Sequence, residues 1–369
     1  MLKIRDYGTF KEMVRNNKKA IVLMSGGIDS SVAAALLQKQ GYNLTGIFII
    51  FGNQNDRVSK ENKCCSIEAQ DSARRVACKL NIPFYTINLA KEFKARVIDY
   101  FISLYRKGRT PNPCVQCNKF IKFGLMLDKA LSLDFDYVAS GHYIKKSKAP
   151  YKLFQAKDKV KDQSYFLYTL TQKKLKHLLF PVGGYRKSEI RDLAKKFDLP
   201  VLERKESQGV CFVGDQHVVD FLKKKIKVKP GEIVDINTKE AVGKHDGLPF
   251  YTIGQRQGIG VGGTGPYYVT GLDFKKNRLW VTDKAEDPYL FEKKFLVKDP
   301  SWVVSKKPKL PLSCQVKIRY GHPSQNAVLK VSNKKMIKVE FEKAQRAITS
   351  GQAAVFYKKQ QLLGGGIIV

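Results

Sequence analysis

The sequence predicts an α/β domain built on a doubly wound parallel sheet, followed by an all-β region that ends in a small barrel. Three observations carry this expectation. Strand-like and helix-like runs alternate through the first half of the chain, and a Gly-Gly turn joins the first strand to the first helix. After about residue 215 the texture changes to short strand-like runs, punctuated by Pro230-Gly231, Asn237, Gly243, Gly258–Gly265 and Gly271.

Taken in order, Ala20–Met24 is a short apolar run that fits a buried strand. Ser31–Gln40, with Val32, Ala35, Leu36 and Leu37, has helical spacing and stops at Gly41. Leu44–Phe51 is the second strand. Ser66–Leu80 lines Ala69, Ala73, Val76 and Leu80 on one helix face, with Ser66 as N-cap. Pro83–Asn88 is a strand, Phe93–Tyr105 and Ile121–Leu131 are helical, and Tyr137–Ser140 is a fourth strand. Such βα units place a ligand at the carboxyl ends of the strands. From about residue 290, Val316, Ile318 and Tyr320, then Ile337, Val339 and Phe341 against Lys338, Glu340 and Glu342, alternate as strands with one buried face. There is no internal repeat and no low-complexity linker.

A chain of 369 residues is expected to hold two or three domains. Its formal net charge of +34 suits a polyanionic partner, nucleic acid first, although a lysine-rich proteome would colour the surface the same way. MLKIRDYGTFKEMVRNNKK lacks the apolar core of a signal peptide, and stretches such as Leu44–Phe51 are too short to span a bilayer, so no membrane association is expected. Seven cysteines without a secretory signal fit a reducing cytosol and a cytoplasmic location.

Two motifs carry chemistry. Ser25-Gly26-Gly27-Ile28-Asp29-Ser30 sits between a strand and a helix start, where glycines let backbone N–H groups approach an anion that the helix dipole favours. It lacks the lysine of a Walker loop, and an ordinary Gly-Gly turn is the plainer alternative. The stretch resembles the SGGxDS loop of PP-loop ATP pyrophosphatases, which split ATP to AMP and pyrophosphate. The second motif is Gly108–Asn118 (GRTPNPCVQCN), a proline-braced loop ahead of a C-x-x-C pair. Cys117, beside a helix start and near Lys119 and Lys122, should lean towards thiolate. A further cysteine, Cys211, lies in Ser207–Asp215 (SQGVCFVGD), and spacing alone does not bring it to Cys117. Structural zinc would want four ligands, and adjacent Cys64-Cys65 is poor ligand spacing. Inert buried thiols are the other alternative, and Cys78 and Cys314 are assigned to the core.

An ordered set of segments resembles the tRNA-specific 2-thiouridylases (the MnmA/TrmU type). They are Leu23–Ser30, Cys64-Cys65-Ser66 through Ala77, Gly108–Phe123, Ala139–Tyr143 (ASGHY), Lys161–Leu167 (KDQSYFL), the Cys211 segment, Tyr251–Gln255, Arg319-Tyr320, Gly351–Tyr357 and Leu363–Gly366. The resemblance implies a PP-loop (adenine nucleotide alpha hydrolase-like) catalytic domain over 1–215. A small central β-rich tRNA-binding domain would follow over 216–287, and a C-terminal β-barrel over 288–369. It implies replacement of the C2 oxygen of the wobble uridine by sulfur, with ATP and Mg²⁺ as cofactors. The partners implied are tRNA and a persulfide sulfur-donor protein.

Carried over residue by residue, Leu23, Met24, Ser25, Gly26, Gly27, Ile28, Asp29 and Ser30 would hold ATP. Ile49 would pack on adenine and Gly141 would approach the nucleotide. Asn112 and Pro113 would border the target base, with Cys114 beside them. His142, Lys161, Asp162, Gln163, Arg319, Tyr320 and Gln352 would contact tRNA. Cys211 would carry a persulfide and Cys117 would be its catalytic partner, the two ending as a disulfide that a reductant reopens. His142 as a capping histidine, Lys161-Asp162 as a solvated pair and Arg319-Tyr320 as plain strand residues are the blander alternatives.

Two positions depart from the family pattern. Cys114 stands where aspartate is common, so Cys114, Cys117 and Cys211 form a potential three-thiolate set for a [4Fe-4S] cluster. Gly321 stands where another basic residue is common. The competing functions are therefore cluster-dependent tRNA thiolation, another PP-loop tRNA-modifying ligase, and a catalytically silent tRNA-binding protein.

Overall fold

The computed structural model describes residues 18–52, 66–201, 209–214, 217–262, 265–333 and 336–369. The N-terminal leader read above, Cys64-Cys65, Ser207-Gln208 and Asp215 lie outside these residues.

The first sheet is built from β1 (Lys19–Leu23), β2 (Asn43–Ile50), β3 (Phe84–Asn88), β4 (Tyr137–Ser140) and a two-residue strand at Leu178–Leu179. All neighbours are parallel, in the order β3-β2-β1-β4 and then the short strand. Period-two alternation in β1 feeds two cores. Ile21 and Leu23 join Ile49, Phe93, Phe101, Val115 and Cys117, whereas Ala20, Val22 and Met24 pack with Val32–Leu37 and Ala69–Ala77 on the other side. Helix α1 (Ile28–Lys39) is buried from Ser30 through Leu37, which explains why IDSSVAAALLQK carries almost no polar face. Helix α2 (Ile67–Lys79) begins where expected, with Ser66 Oγ accepting from Ala69 N at 3.2 Å.

Two helix starts differ from the sequence expectation. Helix α1 opens at Ile28, so Asp29 and Ser30 form its first turn rather than a loop before it. The run expected from Ile121 instead opens at Pro113 and continues through Pro113–Gln116, Cys117–Leu125 (with π-type turns) and Met126–Ser132. The cause is local. Asn112 Oδ1 accepts from Cys114 N (3.1 Å) and Val115 N (3.3 Å), and Pro113 brings its fixed φ to the first helical position.

After β4 the chain makes a hairpin, Ile144–Lys146 against Leu153–Gln155. The middle of the chain forms a four-stranded sheet from Gly231–Asp235, Ala241–His245, Tyr268–Asp273 and Arg278–Thr282. The C-terminal part is a six-stranded antiparallel barrel of Phe291–Trp302, Leu312–Lys317, Gln325–Asn333, Met336–Arg346, Ala353–Lys358 and Gln361–Ile368, closed by pairing of its first and last strands. Closure removes the edges an open sheet would expose. The early hairpin pairs onto the last barrel strand, with Phe154 opposite Gln361 and Leu153 opposite Leu362, so the α/β unit and the barrel share one ladder.

Val316, Ile318, Ile337, Val339 and Phe341 are buried as the alternation predicts. Tyr320 is not, because its strand ends at Lys317 and the chain turns out through Gly321 at φ +79°. Cys314 lies in the core, and burial pushes its thiol up to about 12. Cys78 is exposed, contrary to expectation, because it falls on the solvent side of α2. Among the described residues no helix is long and apolar enough to cross a membrane.

Candidate active site

The loop after β1 is shaped by hydrogen bonds to its own backbone. Ser30 Oγ donates to Gly27 O (3.0 Å) and accepts from Ser25 N (3.2 Å), and Ser31 Oγ donates to Gly27 O (3.0 Å). Ser72 of α2 donates to Gly26 O at 2.9 Å, tying the loop to its neighbour. Gly26 has φ +74°, and a Cβ there would stand 2.1 Å from Ala69 O. Gly141, at the end of β4, is as confined: a Cβ would meet Ser30 N at 2.7 Å and Asp29 C at 2.8 Å. The N-cap of α1 is Gly27, which brings no side chain to cap the helix. Ile49 closes the apolar side from the end of β2 and is buried with Leu23 and Phe93.

Asp29, on the first turn of α1, is held by two groups that sequence reasoning missed. Tyr143 donates its hydroxyl to Asp29 Oδ1 at 2.6 Å, and Lys187 Nζ lies 2.7 and 2.8 Å from the two carboxylate oxygens. The Lys187 side chain is 9% exposed and that of Asp29 32%, so the pair reaches from the interior to the loop. Tyr143 stood inside the ASGHY segment without an assigned role. Lys187 opens a lysine- and arginine-rich helix (Lys187–Lys196), and no local signal sets it apart from its neighbours.

The cysteine loop is braced by the rest of the molecule. Thr110 N donates to Ser350 O (2.9 Å), Gln352 Nε2 donates to Thr110 O (3.0 Å), and the Thr110 and Thr252 hydroxyls are 3.0 Å apart. Gln352 thus reaches the loop itself. Cys117 is buried one turn inside its helix rather than at the helix start, and Cys114 is the nearer of the two to the N-terminus. Cys211 sits in a turn closed by Val213 N to Val210 O (3.0 Å), between Gly209 and Gly214, which both have positive φ. Its neighbour Phe212 packs edge-on against Phe93 and Phe101, in the cluster that buries Cys117 and is flanked by Cys211. Both cysteines are thiols, not a disulfide. Among the described residues no three His, Cys, Asp or Glu side chains are grouped to hold a metal.

The remaining candidates lie around segment 158–163 and the barrel turn. Asp162 is buried at 3% exposure and acts as a knot. Its carboxylate accepts from Ala156 N (3.0 Å), Ser164 N (3.3 Å) and Ser164 Oγ (2.7 Å), and Ser164 Oγ is 3.0 Å from the Tyr357 hydroxyl on the barrel. Gln163 pairs with the Tyr143 backbone in both directions at 2.9 Å. Exposed Tyr320 stacks on Phe166, centroids 4.5 Å apart. Partial burial raises its phenol, Asp162 and Cys114 raise it further, and Lys161 opposes them, so these groups share one field. Burial is the main cause lowering the Lys159 ammonium; Asp162 opposes it, and Lys145 and Lys317 lower it further. His142 rests on Phe123 (5.4 Å) with Nδ1 2.9 Å from Ser140 Oγ, and burial, helped by Lys122, holds it well below the ordinary histidine range.

A family model described as the HUP domain of tRNA methyl transferase matches residues 18–215. A PRC-barrel domain of the same series matches 219–283, and an aminomethyltransferase beta-barrel domain matches 292–368. A curated relative from Carboxydothermus hydrogenoformans, tRNA-specific 2-thiouridylase MnmA, is 44% identical over 363 residues, covering 96% of this chain and 98% of its own. The chain belongs to the tRNA-specific 2-thiouridylase (MnmA) family. A second member, from Chloroflexus aurantiacus, is 45% identical over 354 residues, covering 94% of this chain and 97% of its own. Among solved structures, a 4-thiouridine synthetase–RNA complex with bound ATP aligns at 17% identity and TM-score 0.35, over 56% of this chain and 50% of that one. That likeness is too distant to bear on the chemistry of a 2-thiouridylase.

Proposed function

We propose that this chain converts the wobble uridine of tRNA to 2-thiouridine. It is a tRNA 2-thiouridylase, a sulfurtransferase. Methyl transfer, the reaction in the matched family's description, draws on an activated methyl donor, whereas 2-thiolation needs an activated oxygen and a sulfur source.

The uridine C2 oxygen is a poor leaving group until it is adenylated. ATP would be held by Leu23–Ser30, with Ile49 on the adenine side and Gly141 giving the nucleotide close backbone approach. Asp29, whose carboxylate is already held by Lys187 and Tyr143, and Ser30 would lie near the pyrophosphate, where Mg²⁺, a hard cation, would neutralise charge on the phosphates when bound. Asn112, Pro113 and Cys114 would border the base. Lys161, Gln163, His142, Arg319, Tyr320 and Gln352 would hold the anticodon arm, with buried Asp162 shaping the segment that carries them.

Sulfur would arrive on Cys211 as a persulfide from a donor protein. Its terminal sulfur attacks C2, AMP leaves, and Cys117 then attacks Cys211 Sγ, breaking the S–S bond and freeing the 2-thiouridine; or Cys117 attacks Cys211 Sγ first and releases hydrosulfide, which attacks C2 and expels AMP. Either route forms a Cys117–Cys211 disulfide that an external dithiol reductant must reopen.

The observation that supports this most is that the barrel braces the cysteine loop through Thr110 N to Ser350 O and Gln352 Nε2 to Thr110 O, while Tyr320 of the barrel turn stacks on Phe166 beside the 158–163 segment's Asp162–Ser164 knot. Incubation with a wobble-uridine tRNA transcript, ATP and a persulfide donor, followed by nucleoside analysis, tests it. 2-Thiouridine and equimolar pyrophosphate are expected, and pyrophosphate without thiolated tRNA would contradict the reading.

A further inference from the structure

Asp29 is gripped from two elements that are far apart in sequence, yet both grips return to one segment. Lys187 N donates to Asp158 Oδ2 (3.0 Å), while Asp158 Oδ1 accepts from Val160 N (3.1 Å) and Lys161 N (3.2 Å). Tyr143 N donates to Gln163 Oε1 and Gln163 N to Tyr143 O, each at 2.9 Å. Lys157 N bonds Gly183 O (3.0 Å), and its ammonium meets Glu189 at 2.7 Å, so the segment is zipped to the start of the Lys187 helix. A displacement of 158–163 therefore moves the backbones of both residues that hold Asp29. A largely buried ammonium keeps its carboxylate partner, because separation would leave an uncompensated charge.

We propose that segment 158–163 is a relay between the RNA face and the ATP loop. RNA phosphates drawn to Lys159, Lys161 and their basic neighbours fix the segment, which fixes Asp29 through Tyr143 and Lys187. RNA and ATP then bind cooperatively, and ATP is split when RNA is in place. The relay rests on the tRNA reading above. Tyr143, Asp158 and Lys187 act in it as positioning residues. Binding linkage makes the effect reciprocal: whatever factor RNA contributes to ATP affinity, ATP contributes to RNA affinity.

The test measures affinity for an α,β-methylene ATP analogue with and without saturating tRNA transcript, in the full-length protein and in Asp158→Ala and Tyr143→Phe. In the unmodified protein RNA should tighten analogue binding by about fivefold or more. In both variants that factor should fall close to one while Asp158→Ala still binds each ligand alone. Tyr143→Phe removes a single hydroxyl and keeps the test valid if Asp158→Ala folds poorly. An undiminished factor in the variants overturns the relay. So does an unmodified protein that binds both ligands independently, which leaves thiolation standing. Failure of the unmodified protein to bind the transcript at all overturns the tRNA reading and the relay with it.

Discussion

The ring of Tyr320, on the barrel, stacks 4.5 Å from that of Phe166, on the α/β unit, with the planes 36° apart. One aromatic step thus bridges two units of the fold beside Lys161 and the cysteine loop, and it leaves a half-exposed π face where an unstacked base or ribose can rest. Tyr320→Ala should weaken tRNA binding by about 1–3 kcal/mol, the usual worth of a base–aromatic stack. Unchanged affinity in a filter-binding titration would remove Tyr320 from the RNA face.

Lys161 and Asp162 are adjacent but should behave oppositely. Asp162→Ala strands the Ala156 and Ser164 donors inside the protein, and each unsatisfied buried group costs about 1–3 kcal/mol, so thermal stability should drop. Lys161→Ala should lower tRNA affinity and cost less melting temperature than Asp162→Ala. Equal melting curves for the two variants would contradict the burial argument.

Gly141→Ala drives a methyl into the Ser30 and Asp29 backbone. ATP affinity should fall at least about tenfold, or about 1.4 kcal/mol, with tRNA affinity intact. Isothermal titration with the nucleotide checks this, and wild-type affinity would mean that the end of β4 does not abut the nucleotide.

Burial is the leading cause holding His142, His245 and His322 below the ordinary value of 6.5. The folded chain then binds fewer protons than the unfolded chain. The stability these neutral rings allow is fully present above pH 6.5 and is lost as pH falls below it, towards the folded-state values. Melting temperature should decline as pH drops from about 7.5 to 5.5, above the carboxylate range, and the slope should be shallower in His142→Phe. Identical slopes would show His142 to be solvated.

Much of this was legible before the structure. Ser66 capping α2, the four parallel strands and the barrel alternation through Val316 and Phe341 follow from local signals, and each element packs against its own adjoining core. What escaped was set by long-range contact. The Asn112 cap, which moves the helix start to Pro113 and places Cys117 one turn inside, depends on one side chain folding back on two N–H groups. Lys187 meets Asp29 across 158 residues, and nothing in a lysine-rich helix distinguishes the buried lysine from the solvated ones. Tyr320 continues an alternating pattern on paper, but its strand has already ended at Lys317.

With a formal charge of +34, tRNA affinity should fall steeply with salt, because each neutralised phosphate releases a condensed counterion. A flat response between low and physiological salt would mean that the lysines are general surface charge rather than an RNA face.

The central claim is that Cys117 and Cys211 move sulfur as thiols. It is tested most directly by thiolation of a wobble-uridine transcript with anaerobic enzyme, ATP, Mg²⁺ and a persulfide donor, with and without reconstituted iron. Cys114→Ala, Cys117→Ala and Cys211→Ala are run in parallel. The account predicts iron-independent 2-thiouridine that survives Cys114→Ala and disappears in each of the other two variants. Activity that requires iron and is lost in all three would contradict it.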